Sequence, residues 1–287
     1  MFPPEIHASV LNQALPYIQE FRGQTFVIKY GGSIMNSPEA TEGVIRNVLL
    51  LALVGIQPIL VHGGGPEIDR WLERLGIEKK VSQGLRVTDD ETMEVVEMAL
   101  GRANKALAAK VVECGGEAVG LSGRDDDLMV AEPISEELGR VGKVSRIEPA
   151  VLRLITDNGW IPVICSVASD GKGGALNVNA DSAAAAIAAA VGATKLILLT
   201  DTNGVLTDKN DKDSTISVLT ARAAKEMIAT GAADKGMIPK LEAAVSALEG
   251  GVPAVHLING SIPNALLIEV LTEAGIGTML QRVKVGE

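Results

Sequence analysis

The sequence predicts an α/β fold: a three-layer α/β/α sandwich with an open, mostly parallel central sheet, preceded by an N-terminal helix. Three observations carry that prediction. From Thr25 onward, short runs rich in Val, Ile and Leu alternate with helical patterns, the rhythm of right-handed βαβ crossovers. Aromatic residues are only 2% of the 287 while 47% are hydrophobic, so the core is aliphatic, as in parallel sheets covered on both faces. Two strand-like runs end in glycine clusters, Gly31-Gly32 and Gly63-Gly64-Gly65, and open α/β sheets bind ligands at such carboxyl ends.

The elements follow in order. Residues 5–20 place Ile6, Val10, Leu11, Leu15 and Ile18 roughly on one helical face, with Pro16 expected to bend or interrupt the helix. That stripe is buried either on its own domain or against a neighbouring subunit. FVIKY (26–30) is a strand and 38–54 a helix; PILVH (58–62) is a strand and 66–75 a helix opened by proline. A long helix covers 89–114, with Thr88 as N-cap and Asp89 and Asp90 as early acidic residues. A strand begins over 118–121, and 126–143 reads as a polar, hairpin-rich excursion. Helices then fall at 149–158, 181–191, 221–229, 240–249 and 263–273, and strands at 161–166, 195–200 and 254–258. No internal repeat or long linker is present, so any division into lobes lies within one sheet, near residues 170–180.

Composition narrows the function. A net charge of −10 leaves no basic stripe for nucleic acid, although a local basic site for a nucleotide is compatible with it. Cys114 and Cys165 are too few for a disulfide framework and have no metal-ligand spacing; they read as small buried residues. The N-terminus lacks a secretory pattern, and the longest apolar run, 183–190, is too short to span a bilayer. The expectation is a cytoplasmic protein with no membrane partner.

The glycine clusters carry the chemistry. Consecutive glycines at a strand end expose backbone N–H groups to a ligand, and Lys29 adds a positive charge beside them, which suits a phosphoryl group in transfer. The second cluster leads into a helix start, itself an anion site. Walker A, Rossmann and protein-kinase signatures are absent from the sequence. Arg86 stands just before the long helix; it is either a surface ion-pair partner or a guanidinium for gripping a carboxylate. Asn177 and Asn179 form a polar row beside Asp181, which is either an N-cap or part of the site. Residues 201–206 make a turn after a strand, a usual place for nucleotide contact. Lys240 opens a helix, where a cation opposes the dipole and calls for an anionic ligand. His62 reads as a structural partner of the glycine turn.

Taken together, KYGGS (29–33), HGGGPEI (62–68), GLRVTD (84–89), NVNAD (177–181), TDTNGVL (200–206) and KGMIPKL (235–241) resemble the amino acid kinase superfamily, and within it the acetylglutamate kinases. The N-terminal helix resembles the arginine-sensitive, hexameric branch. The resemblance implies the amino acid kinase fold and transfer of the ATP γ-phosphoryl to the side-chain carboxylate of N-acetyl-L-glutamate in arginine biosynthesis. It implies that Lys29 and Lys240 stabilise the transferring phosphoryl and that Asp181 organises both lysines. It places Gly64 and Gly65 (by backbone N–H), Arg86, Asn177 and Asn179 on acetylglutamate. It places Gly31, Gly32, Asp201, Thr202, Asn203, Gly204, Val205, Leu206, Ala232, Ala233 and Asp234 on ATP, with Mg²⁺ held through the nucleotide phosphates and no protein metal site.

For arginine as feedback effector, the matching positions are Tyr17, Lys195, His256, Glu269, Glu273, Gly275 and Gly277. The implied organisation is residues 1–22 for oligomerisation and regulation, 23–176 for acetylglutamate and 177–287 for ATP. A homo-hexamer is expected, and a PII-type signalling protein is an open possibility. The rivals are an acetylaminoadipate kinase of lysine biosynthesis and a catalytically idle arginine-sensing scaffold. Retention of both lysines and Asp181 argues against the second.

Overall fold

The computed structural model describes residues 3–31, 35, 37–82, 84–208, 211, 214–273 and 275–282. Helix α1 (Pro4–Phe21) leads into β1 (Thr25–Tyr30), α2 (Pro38–Leu53), β2 (Gln57–His62) and α3 (Gly65–Leu75). A small hairpin, β3 (Val81–Ser82) and β4 (Leu85–Arg86), precedes the long α4 (Asp90–Glu113). Then come β5 (Ala118–Gly123), the hairpin β6 (Met129–Pro133) and β7 (Val141–Ile147), α5 (Ala150–Asp157), β8 (Ile161–Ser169) and β9 (Ala175–Val178). The C-terminal part runs through α6 (Ala180–Val191), β10 (Lys195–Thr200), β11 (Val218–Thr220), α7 (Ala221–Thr230), α8 (Ile238–Glu249), β12 (Ala254–Asn259), α9 (Ala265–Leu271) and β13 (Thr278–Gln281).

One sheet holds all the main strands among the described residues. Its order is β11-β13-β12-β10-β1-β2-β8-β6-β7-β9, with β5 also on β8. The centre, β12-β10-β1-β2-β8, is parallel throughout, and antiparallel pairs occur at β12–β13, β6–β7 and β8–β9. Side chains alternate across β1. Phe26, Ile28 and Tyr30 join the cluster under α2, α4 and α9, whereas Val27 joins the cluster under α6 and α8. The alanines of α6 and α8 allow these two helices to lie close on that second face.

Several expectations change. Pro16 does not interrupt α1, which runs unbroken over Pro4–Phe21. Pro16 is exposed, so the carbonyl deprived of its helical N–H can bond to water instead. Of the two alternatives for the apolar stripe of α1, burial along its length on its own domain fails: Leu11 is 71% exposed, and among the described residues of α1 only Ala14, Tyr17, Ile18 and Phe21 pack on the core. The N-cap of α4 is Asp89, whose carboxylate accepts from the Thr92 N–H; the Thr88 hydroxyl turns back to the Arg86 carbonyl. Asn179, not Asp181, caps α6, its Oδ1 accepting from the Asp181 and Ser182 N–H groups. Helix α9 is shorter than the 263–273 expected, and β9, β11 and β13 extend a sheet that short, mixed segments had hidden.

Candidate active site

Strand parity and one cap build the centre. Lys29 lies on the Val27 face of β1, so it points toward the start of α6. The Asn179 cap fixes that start and sets Asp181 in the first turn. Lys29 Nζ then lies 3.0 Å from Asp181 Oδ1, with the two side chains 10% and 6% exposed. Lys240, in the first turn of α8, brings its Nζ to 3.6 Å from Asp181 Oδ2 and also donates to the Gly236 carbonyl at 3.5 Å. Burial alone would push the Asp181 carboxyl up, but the two ammonium groups outweigh it and hold the carboxyl below its ordinary value. One buried carboxylate thus carries two cations, a surplus of positive charge that an anion would balance.

This centre borders a cavity of about 230 Å³ lined by Lys29, Gly63–Gly65, Arg86, Ser166, Asn177, Asn179 and Asp181, among others. Gly31 lies beside Lys29, while Gly32 is outside the described residues. Arg86 pairs with Asp69, and one of its nitrogens reaches the Gly65 carbonyl at 3.3 Å. Its other terminal nitrogen, Nη1, is buried without a hydrogen-bond partner. A buried unpaired guanidinium N–H is costly, and a ligand carboxylate would satisfy it. Asn177 donates to the Thr88 hydroxyl at 3.2 Å, which ties β9 to the segment preceding α4. Ser166 was not anticipated; the only signal for it was a hydroxyl inside an otherwise apolar strand.

A second cavity, of about 560 Å³, includes Thr202, Gly204, Val205, Leu206, Ala232, Ala233 and Asp234 in its walls. Asp234 Oδ1 accepts from the Gly236 and Met237 N–H groups, each at 2.8 Å, forming the turn that opens α8. Lys240 therefore springs from the element whose preceding turn walls the second cavity, and it reaches the carboxylate of the first. Asn203 faces away and accepts from Asn259 Nδ2 at 2.9 Å; Asp201 is exposed, and neither lines the cavity. Thr207, Asp208, Met227, Gly231 and Met237 complete the wall without having been anticipated, because only the fold brings α7 beside residues 202–208.

The remaining predicted cluster lies at the opposite ends of β10 and β12. Lys195 Nζ is 3.0 Å from His256 Nε2, and His256 Nδ1 is 2.6 Å from Glu269 Oε1. Glu269 Oε2 accepts from the Ile276 N–H at 2.8 Å, between Gly275 and Gly277. Tyr17, half-buried, packs on the same side of the core as Phe21, over whose ring the Lys195 ammonium sits at 5.1 Å. Burial pushes Lys195 and His256 down; burial pushes Glu269 up, but the His256 and Ile276 hydrogen bonds bring it below its ordinary value. Glu273 is exposed.

The chain belongs to the amino acid kinase family, whose model matches residues 24–259, and it is a kinase. It is 51% identical to acetylglutamate kinase of Nostoc sp. over 273 residues, covering 94% of this chain and 92% of that one. It is 49% identical to acetylglutamate kinase of Acaryochloris marina over 282 residues, covering 98% and 99%. Among solved structures, N-acetylglutamate synthase of Neisseria gonorrhoeae with coenzyme A and N-acetyl-glutamate aligns at a TM-score of 0.86 and 27% identity. The alignment covers 96% of this chain and 64% of the synthase; the same enzyme with coenzyme A and L-arginine aligns at 0.81 and 26% identity.

Proposed function

We propose that this kinase transfers the γ-phosphoryl of ATP to the side-chain carboxylate of N-acetyl-L-glutamate, a step of arginine biosynthesis. The observation that carries the reading is Asp181, buried between Lys29 and Lys240 where the glycine-turn cavity meets the helix leading from the second cavity. About half of the residues are shared with acetylglutamate kinases over nearly the whole chain, which supports acetylglutamate as the acceptor. A working pair of lysines is superfluous in an idle sensor.

A side-chain carboxylate is ionised at neutral pH, with a reference pKa of about 4.3, so no general base is required. The task is to bring two anions together and to neutralise charge on the phosphoryl. Lys29 and Lys240 do so from the acceptor and nucleotide sides, and Asp181 holds both in place. Arg86 Nη1 takes the acceptor's α-carboxylate, Gly64 and Gly65 offer N–H groups, and Asn177 and Asn179 flank the acetylamide. Thr202, Gly204, Val205, Leu206 and residues 232–234 hold the nucleotide. Mg²⁺ would be carried on the nucleotide phosphates, where it would neutralise part of their charge. In this reading residues 23–176, joined by Asn177 and Asn179 at the boundary, serve the acceptor, and the rest of 177–287 serves the nucleotide.

Arginine is assigned as feedback effector, supported by the L-arginine complex of the synthase of like fold, and the Lys195–His256–Glu269 cluster beside α1 is its assigned site. The exposed apolar face of α1 suits contact between subunits in a hexamer. The experiment measures ADP release with acetylglutamate, glutamate, acetylaminoadipate and aspartate, each with and without arginine. Activity confined to acetylglutamate and suppressed by arginine is expected. Preference for another acceptor overturns the substrate, and activity indifferent to arginine overturns the regulation alone.

A further inference from the structure

A buried polar chain runs behind the glycine turn, and phosphoryl transfer does not use it directly. His62 and Asn104 are both buried. Asn104 Nδ2, on α4, lies 2.8 Å from the Val163 carbonyl and 3.1 Å from His62 Nε2. His62 Nδ1 lies 2.8 Å from the Gly63 carbonyl. Both carbonyls can only accept, and this settles every proton in the chain. Asn104 donates twice, His62 Nε2 accepts, and Nδ1–H donates to Gly63. Burial pushes His62 down to about 4, against the opposing pull of the Gly63 bond, so a neutral ring with one proton fits the geometry.

We propose that His62 and Asn104 are positioning residues that aim the Gly64 N–H at the acceptor substrate. The Gly63 carbonyl and the Gly64 N–H belong to one planar trans peptide, so holding the carbonyl in one direction points the N–H in the opposite one. The carbonyl is held toward the imidazole, and Gly64 lines the cavity containing Lys29 and Arg86. Without the clamp, a glycine turn is free to rotate this peptide; with it, the donor is set before substrate arrives. Gly120 of β5 completes the device, since a Cβ there would collide with Asn104 Oδ1. The proposal rests on the reading that Gly64 meets acetylglutamate.

Two variants separate the ring nitrogens. In His62→Asn the amide nitrogen occupies the Nδ1 position and keeps the donor to Gly63. In His62→Gln the amide reaches the Nε2 position, keeping the Asn104 contact but losing that donor. We expect His62→Gln to raise the acetylglutamate KM about 10- to 100-fold, the loss of one oriented hydrogen bond to a charged group, with the ATP KM unchanged. His62→Asn should restore it to within about threefold of wild type. A merely structural His62 gives the reverse order, because Gln better preserves volume and the buried contact. The reverse order, equal losses, or a rise in both KM values overturns the proposal. Should neither variant fold, nitrogen-15 NMR of the wild-type ring decides: protonated Nδ1 with bare Nε2 is expected, and protonated Nε2 overturns it. Absence of wild-type turnover on acetylglutamate removes the substrate reading instead, and the ring spectrum then judges the clamp alone.

Discussion

A single buried carboxylate organises the centre. Asp181 stays ionised only because Lys29 and Lys240 flank it, and the two lysines tolerate each other only because Asp181 lies between them. Replacing Lys240 by methionine keeps much of the stem and removes the charge. Steady-state kinetics of Lys240→Met should show kcat down by about 100-fold or more, with the acetylglutamate KM within about threefold of wild type. Arg86→Ala should do the opposite, raising the acetylglutamate KM by about 10-fold or more through loss of a charge-assisted hydrogen bond while the ATP KM holds. The buried histidines set a pH dependence. The unfolded chain takes up a proton near the ordinary value of 6.5, whereas folded His62 resists until about 4. Stability is therefore full above pH 7 and declines between about 6.5 and 4, by up to about 3 kcal/mol from this ring. His256, pushed down by burial, acts in the same direction, and Asp181, held low by the lysines, loses its contribution as pH falls through its folded value. Urea midpoints measured from pH 8 to 4 should fall through that window and stay level above it.

At the scale of elements, the site is made by turns that follow strands. Gly204 sits after β10 with φ of +90°, and a Cβ there would lie 2.5 Å from Thr278 Oγ1 and 2.8 Å from the Thr278 backbone nitrogen. Neither conformation nor space admits a side chain, because the obstacle includes the β13 backbone. Gly204→Ala should lower stability by about 1–3 kcal/mol in chemical denaturation and raise the ATP KM, since the same turn walls the larger cavity. The start of α6 shows how a cap serves chemistry. Asn179 spends its Oδ1 on the first N–H groups of the helix, and the resulting first turn directs Asp181 between the lysines. The starts of α6 and α8 converge on one carboxylate although they are far apart along the chain.

At the scale of the molecule, a parallel central sheet lines up the carboxyl ends of β1, β2, β8 and β10, and both cavities open near them. The amino ends of β10 and β12 hold the separate Lys195–His256–Glu269 cluster, next to the C-terminal part of α1 that packs on the core. The rest of α1 shows Ile6, Val10, Leu11 and Leu15 to solvent. If the proposed hexamer and arginine regulation hold, a protein shortened to begin at Ala14 should turn over acetylglutamate with near wild-type kcat, yet give a smaller particle by light scattering and lose inhibition by arginine. Retention of the full particle size would overturn the proposed role of α1 in assembly.

The sequence by itself determined the α/β class, the aliphatic parallel core, nearly every helix of the chain and the glycine turns at strand ends. These are written in local periodicity and in residue chemistry, which neighbours along the chain suffice to express. It also marked Lys29, beside a glycine turn, and Lys240, at a helix start, as cations that call for an anion; Asp181, which locally could serve as a cap alone, was added by the resemblance. Tertiary structure decided the rest. The short strands β9, β11 and β13 exist because distant partners complete their hydrogen bonds, and no pattern of three or four residues announces that. The exposure of the α1 stripe, the use of Asn179 rather than Asp181 as cap, and the gathering of three charges from β1, α6 and α8 are likewise outcomes of packing. So is the buried link from Asn104 through His62 to Gly63, whose members are separated by 42 positions and one. Proximity of residues far apart in sequence is fixed by how the sheet is ordered, and only the folded chain expresses that order.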